Sequence, residues 1–238
     1  MGIVGALLDL AYPRRCGSCG QAVLGEDMQI CWDCRASLQV ITDPYCDRCG
    51  DPVEGMIGHA FVCSMCRRHE PGFCRARSAV RYRGGICDAL QSFKYRGQVN
   101  LGEDLANLLL ACVRTHYAGI KFDAIGCVPL YPVRERTRSY NQSRLLAERV
   151  GRMLRLDLTP PRTVRRVRNT PSQTGLNSDE RRDNVEAAFV VGQAEWLDGR
   201  TILLIDDVMT TGATVSACAG ALREGGAAGV YVATVARG

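Results

Sequence analysis

Eight of the thirteen cysteines stand as four Cys-x-x-Cys doublets between residues 16 and 66, and no other feature narrows the fold as much. Cys16, Cys19, Cys31 and Cys34 form one set; Cys46, Cys49, Cys63 and Cys66 form a second. Two residues between partners let both sulfurs of a doublet reach one ion, and two doublets complete a tetrahedron. Gly17, Gly20 and Gly50, beside the cysteines, suit the tight turns such knuckles need. Four thiolates leave no open coordination position, so the expectation is two structural zinc ions rather than a catalytic metal. The gaps between doublets are similar, so consecutive and interleaved pairing both fit; consecutive ribbons are expected. The recurrence of the doublet reads as a tandem duplication. A thioredoxin-like redox role is disfavoured because the doublets lack a βαβ context. His59 and His69 lie beside a set that already has four sulfurs and read as bystanders, and Cys74, Cys87, Cys112, Cys127 and Cys218 as small core residues.

Thiolates bound to metal imply a reducing compartment, and the chain reads as cytoplasmic. The apolar stretch from Ile3 to Leu8 is cut by Asp9 and falls far short of the ~20 residues of a membrane span. It also lacks a basic leader, since Arg14 and Arg15 follow it; a short amphipathic helix packing on the body is expected. The formal net charge of +5 assumes neutral thiols. Eight thiolates and two zinc ions bring the chain close to neutral, so the basic balance says little about a nucleic-acid partner. With 46% apolar and 23% charged residues, disorder is excluded as the main state.

Past residue 70 the composition changes. Strand patterns at Ser78 to Tyr82, Phe122 to Val128, Thr201 to Ile205 and Val230 to Val235 alternate with helical ones. The helical segments are Ile86 to Tyr95, Leu101 to Tyr117, Gln142 to Leu154 and Val215 to Leu222. Such alternation predicts a parallel sheet flanked by helices. The expected division is residues 1–70, an N-terminal helix with a double zinc ribbon, and residues 71–238, an α/β domain.

The segment from Ile202 to Thr214 carries the strongest chemical signal. A buried apolar strand ends in Asp206 and Asp207, a pair that repels itself unless solvated or opposed by cations. Thr210-Thr211-Gly212-Ala213-Thr214 then offers three hydroxyls, a glycine that lets an anion approach closely, and the start of a helix. Exposed N–H groups at such a turn suit phosphate, and ligands of open α/β sheets bind at the carboxyl ends of strands. Together they point to a ligand with both hydroxyls and phosphate. A Walker B reading fails because neither Lys94 nor Lys121 follows a glycine-rich loop, and no G-x-G-x-x-G opens a helix.

Residues 202 to 214 resemble the signature of type I phosphoribosyltransferases. The resemblance implies that Asp206 and Asp207 hold the ribose hydroxyls of phosphoribosyl pyrophosphate, and that Thr210, Thr211, Gly212, Ala213 and Thr214 hold its phosphate. Mg²⁺ would come with the ligand, held mostly by the ligand's own oxygens. The rest of the chain is similar to the ComF family through the cysteine module, Phe93-Lys94-Tyr95-Arg96-Gly97, Val128-Pro129-Leu130, Arg138-Ser139-Tyr140-Asn141-Gln142, and Thr170-x-x-Gln173-x-x-Leu176 leading to Arg181 and Asn184. That family is linked to DNA uptake in natural competence. Its usual Arg-Gly-Phe-Asn-Gln is here departed from at Ser139 and Tyr140.

Positive groups stabilise a departing pyrophosphate. Lys94 and Arg96, with Arg134, Arg136 and Arg138 in the loop after Pro129, are the expected cations, and Asn141, Gln142 and Gln173 join them by motif. A loop around Arg168 to Leu176 is expected to close over the site. The acidic residue found in hypoxanthine-type enzymes is replaced by Thr210, no catalytic base is visible, and the acceptor is unknown. Two rivals accompany the transferase reading. One is a non-catalytic sensor of the same ligand. The other is an adaptor that handles single-stranded DNA or DNA-uptake proteins through the ribbons and Arg162, Arg165, Arg166 and Arg168.

Overall fold

The computed structural model describes residues 14–23, 28–55, 59–168 and 188–238. The expected N-terminal helix, and the motif from Thr170 through Gln173 and Leu176 to Arg181 and Asn184, lie outside these residues. Four parallel strands form the main sheet: β1 (Arg75–Arg81), β2 (Ala124–Cys127), β5 (Thr201–Met209) and β6 (Gly229–Arg237), in the order β1-β6-β5-β2. A separate antiparallel pair joins β3 (Val164–Arg166) to β4 (Phe189–Val191).

Strand alternation sends neighbouring side chains to opposite layers. Leu203 and Ile205 of β5 pack with residues of α3 (Gly85–Tyr95), α4 (Leu101–His116) and α6 (Gln142–Leu154), among them Leu90, Leu105, Leu109, Leu146 and Val150. Ile202 and Leu204 pack instead with Val215, Ala219 and Leu222 of α8 (Ala213–Glu224). The continuous apolar run of β5 thus reflects burial on both faces, as expected for a parallel sheet covered by helices. A short α7 (Ala194–Leu197) precedes β5.

Two details differ from the sequence expectation. β5 does not stop at Ile205: its pairing with β6 continues to Met209 opposite Arg237, so Asp206 and Asp207 are strand residues. The segment carrying Arg134, Arg136 and Arg138 is not a loop but the helix α5 (Pro132–Arg138), begun by a proline whose missing N–H costs nothing in the first turn.

In each ribbon a hairpin-like turn carries the first doublet, bridged between Arg15 and Ala22 or between Tyr45 and Pro52. The second doublet opens a short helix, α1 (Trp32–Ala36) after Cys31 or α2 (Ser64–Arg68) after Cys63. The first ribbon's Cys16 and Ile30 join the α4 layer, whereas the second ribbon's Cys46 and Cys49 join the α8 layer. Residues 39–41 run between them antiparallel to β1, with Arg81 N–H on the Gln39 carbonyl (2.8 Å) and Ile41 N–H on the Ala79 carbonyl (3.1 Å). The two ribbons therefore sit on opposite faces of one sheet. Of the remaining cysteines, Cys112 and Cys218 are buried as expected, while Cys74, Cys87 and Cys127 are only half-buried. No helix among the described residues is long and apolar enough to cross a membrane.

Candidate functional site

The eight doublet cysteines gather in consecutive sets. The sulfurs of Cys16, Cys19, Cys31 and Cys34 lie within 4.8 Å of one another, as do those of Cys46, Cys49, Cys63 and Cys66. Four sulfurs at ~2.3 Å from zinc form a tetrahedron with edges of about 3.8 Å. The Cys19–Cys31 and Cys49–Cys63 sulfur separations are 3.7 and 3.8 Å, so both sets fit a structural zinc ion. Matching N–H···S bonds orient them, from Cys31 to Cys16 and from Cys63 to Cys46, each at 3.3 Å. Gly20 and Gly50 close the knuckles at φ of 75° and 68°, with N–H groups on the Cys16 and Cys46 carbonyls. The ribbons are local copies of each other, and neither histidine belongs to a set.

Crowded thiols share charge unevenly. Burial works against Cys16, but N–H groups of Cys19, Cys31 and Ser18 outweigh it and bring its thiol down to about 7. Burial pushes Cys34 up to about 12. Hydrogen bonding to Cys49 and Cys66 holds Cys46 far below the thiol range, and the same contact with Cys46 raises Cys49 to about 12. A divalent cation is what allows all four in a set to ionise together.

At the carboxyl end of the sheet, Asp207 is ion-paired with Lys94 of α3, Nζ to Oδ1 at 2.9 Å. Ser143, in the first turn of α6, donates from Oγ to Asp206 Oδ1 (2.7 Å), and the Asp207 N–H reaches the same oxygen (2.9 Å). Burial, and then the charge of Asp207, push Asp206 up to about 7 despite the Ser143 bond. Burial also disfavours the Lys94 charge, but Asp207 and Asp206 outweigh it and raise its pKa. The acid pair thus meets the opposing cation that its sequence demanded. Lys94 is that cation.

Gly212, at φ 80°, caps α8 and turns the chain so that the helix begins beside the acids. Asp206 and the residues from Val208 to Val215 line a small cavity of about 80 Å³, with Thr210, Thr211, Gly212, Ala213 and Thr214 on its wall. A second cavity of about 820 Å³ opens past the end of β2, between Pro129, Tyr131, Asn141, Thr159 and Arg166.

The family model for the double zinc ribbon domain matches residues 7–90. Competence protein F of Haemophilus influenzae is 33% identical over 214 residues, which cover 87% of this chain and 90% of that protein. The chain belongs to the ComF family. The DNA utilization protein YhgH of Salmonella typhi is 30% identical, covering 94% of this chain and 96% of its own. Competence protein ComFC of Bacillus subtilis is 28% identical, covering 87% and 82%. Among solved structures, the glutamine phosphoribosylpyrophosphate amidotransferase of B. subtilis, complexed with ADP and GMP, gives a TM-score of 0.40 at 15% identity. That alignment covers 60% of this chain but only 30% of the amidotransferase. Adenine phosphoribosyltransferase of Thermoanaerobacter pseudethanolicus gives 0.39 at 16% identity, covering 71% and 93%.

The ComF-like motifs converge on the acid pair largely as supports. Asn141 caps α6 by accepting from the Ser143 and Arg144 N–H groups, and its Nδ2 donates to the Val128 carbonyl (3.1 Å). Gln142 Nε2 donates to the Lys94 carbonyl (3.4 Å), and Tyr140 hydroxyl to the Phe93 carbonyl. Arg138 bonds Gln142 (3.2 Å) and the Tyr95 hydroxyl (2.7 Å), lying over that ring. Arg96 is exposed at the end of α3 and Arg134 is half-buried in α5. Ser139, where the ComF family usually has glycine, adopts φ 66°. Of the arginine run, Arg166 is buried over the Phe189 ring, which breaks any continuous exposed strip. Ser143 is the site residue that the motif reading passed over; the one signal for it was its place two residues after a capping asparagine.

Proposed function

We propose that this ComF-family protein binds phosphoribosyl pyrophosphate with Mg²⁺ and transfers the phosphoribosyl group to an acceptor in the course of DNA uptake. The observation that carries this reading is the placement of Asp206 and Asp207 beside a loop turned by Gly212 into the start of α8. The carboxylates accept the ribose hydroxyls, and the loop's N–H and hydroxyl groups take the 5-phosphate in the small cavity. The larger cavity past the end of β2 is the space assigned to pyrophosphate and the acceptor, and its volume is sufficient for both. A lone pair of the acceptor forms the new bond to the anomeric carbon while the bond to pyrophosphate oxygen breaks. Pyrophosphate leaves with the electron pair, and the acceptor's proton passes to solvent. Mg²⁺ brought in with the ligand, and held mainly by the ligand's own oxygens, would offset the charge on the leaving group. The link to DNA uptake is supported by relatives named for competence and DNA utilization. In this division of labour residues 71–238 hold the ligand and residues 1–70 supply the ribbons.

Calorimetric titration of the zinc-loaded protein with phosphoribosyl pyrophosphate and Mg²⁺ tests the reading, against an Asp206→Asn, Asp207→Asn double variant. Saturable binding that disappears in the variant is expected; a folded wild type that does not bind overturns it. Binding without turnover is the second reading, favoured by the engagement of both carboxylates by Lys94 and Ser143. Ligand-dependent release of pyrophosphate, absent in a sensor, separates the two.

A further inference from the structure

The second ribbon reaches the loop that begins α8. A cavity of about 440 Å³ has Cys49, Cys63 and Cys66 on one wall and Thr210, Thr211 and Gly212 on another. Arg237 stands between them. It ends β6, opposite Met209, the residue that leads into Thr210. Its Nε donates to Asp51 Oδ1 at 3.0 Å, and the Asp51 carbonyl in turn accepts the Cys46 N–H at 2.9 Å. The Arg237 side chain is 8% exposed, and its buried Nη1 has no hydrogen-bond partner.

A buried guanidinium with one half-exposed carboxylate for company is poorly compensated. A tetrathiolate holding one divalent ion carries two net negative charges, and supplies what is missing. The chain just past the ribbon is also locked to α8. Gly72 N–H donates to Ser216 Oγ (2.9 Å), and a Cβ on Gly72 would lie 2.6 Å from the Gly220 nitrogen. The first ribbon docks elsewhere, through Asp104 of α4 on the opposite face.

We propose that Arg237 is a positioning residue that makes the second zinc–thiolate centre part of the phosphate loop's support. Zinc in that ribbon fixes Asp51 and Arg237, and Arg237 fixes the end of β6 against the Met209–Thr210 turn. Its ligand readout rests on the phosphoribosyl pyrophosphate reading, but its structural readout does not.

The test uses the full zinc-loaded chain and the variants Arg237→Met, Arg237→Lys and Arg35→Met, the last loosening only the first ribbon's dock. Zinc retention is followed by competition with a chromogenic chelator, and loop order by hydrogen exchange of a peptide spanning 209–216. Arg237→Met is expected to weaken one zinc site about tenfold, as loss of a partner outside the ligand shell commonly does. It should also speed exchange in that peptide and weaken phosphoribosyl pyrophosphate binding. Arg237→Lys should restore most of each, and Arg35→Met should leave loop exchange unchanged. Unchanged zinc retention and loop exchange in folded Arg237→Met overturn the inference, as does an equal effect from Arg35→Met. If wild type fails to bind the sugar phosphate while the exchange effects appear, the coupling stands and the ligand reading falls.

Discussion

Lys94 at the end of α3 and Asp207 within β5 form an ion pair of 2.9 Å whose two side chains are 18% and 10% exposed. It ties the Phe93-Lys94-Tyr95-Arg96-Gly97 motif to the acidic motif, 113 positions away in the numbering of the chain. The pair holds the Asp207 side chain in one orientation at the carboxyl end of the sheet.

Replacing Lys94 by methionine leaves that carboxylate buried without its cation. Stability should fall by about 2 kcal/mol, the scale of a lost hydrogen bond to a charged group. Urea denaturation of wild type and Lys94→Met at pH 8 measures it; an unchanged midpoint would mean that the pair contributes nothing.

Asp206 rises from an ordinary 3.8 to about 7 in the fold. Between about pH 4 and 7 the folded protein therefore keeps a proton that the unfolded chain releases. This contribution to stability is complete below pH 4 and is lost as pH rises through 7. Asp206→Asn should flatten that slope in urea midpoints taken from pH 4 to 8. On the proposed role of this carboxylate as acceptor of the ribose hydroxyls, sugar-phosphate binding should strengthen over the rise from pH 6 to 8.

Ser139 ends α5 in the left-handed region at φ 66°, where a side chain is strained and glycine is not. Ser139→Gly should stabilise the protein by about 1 kcal/mol. Thermal unfolding reads this directly, and a lowered melting temperature would count against the strain.

Asp104 takes the Gln29 and Ile30 N–H groups, from the loop that leads into Cys31, on Oδ2, and Arg35 of α1 on Oδ1. Asp104→Ala should cost about 3 kcal/mol, since a buried charged partner is removed and its donors are stranded. Chelator competition should then strip one of the two zinc ions well before the other.

What could be read in the sequence was what depends on short spacing. The doublets declare their ligands because two residues fix the reach of a knuckle. The run from Ile202 to Thr214 declares strand, acids and loop in order. Ser143 was hidden because its bond to Asp206 depends on how α6 lies against β5, which spacing along one segment does not encode. The extension of β5 through its acids depends on register with β6. The helices α1 and α2 are five residues each, and β3 and β4 three, too short to show a period. Arg166 reads as one more surface arginine until the Phe189 ring is seen beneath it.

The run of residues 39–41 along β1 has a practical meaning for anyone dissecting the chain. Cutting near residue 70 would discard it and bare the outer rim of a seven-residue strand, with its donors and acceptors in a row. Such a rim is a template for another copy's strand, so the shortened protein should self-associate or precipitate. The metal-binding module is thus also a selvedge that keeps the sheet from fraying into its neighbours.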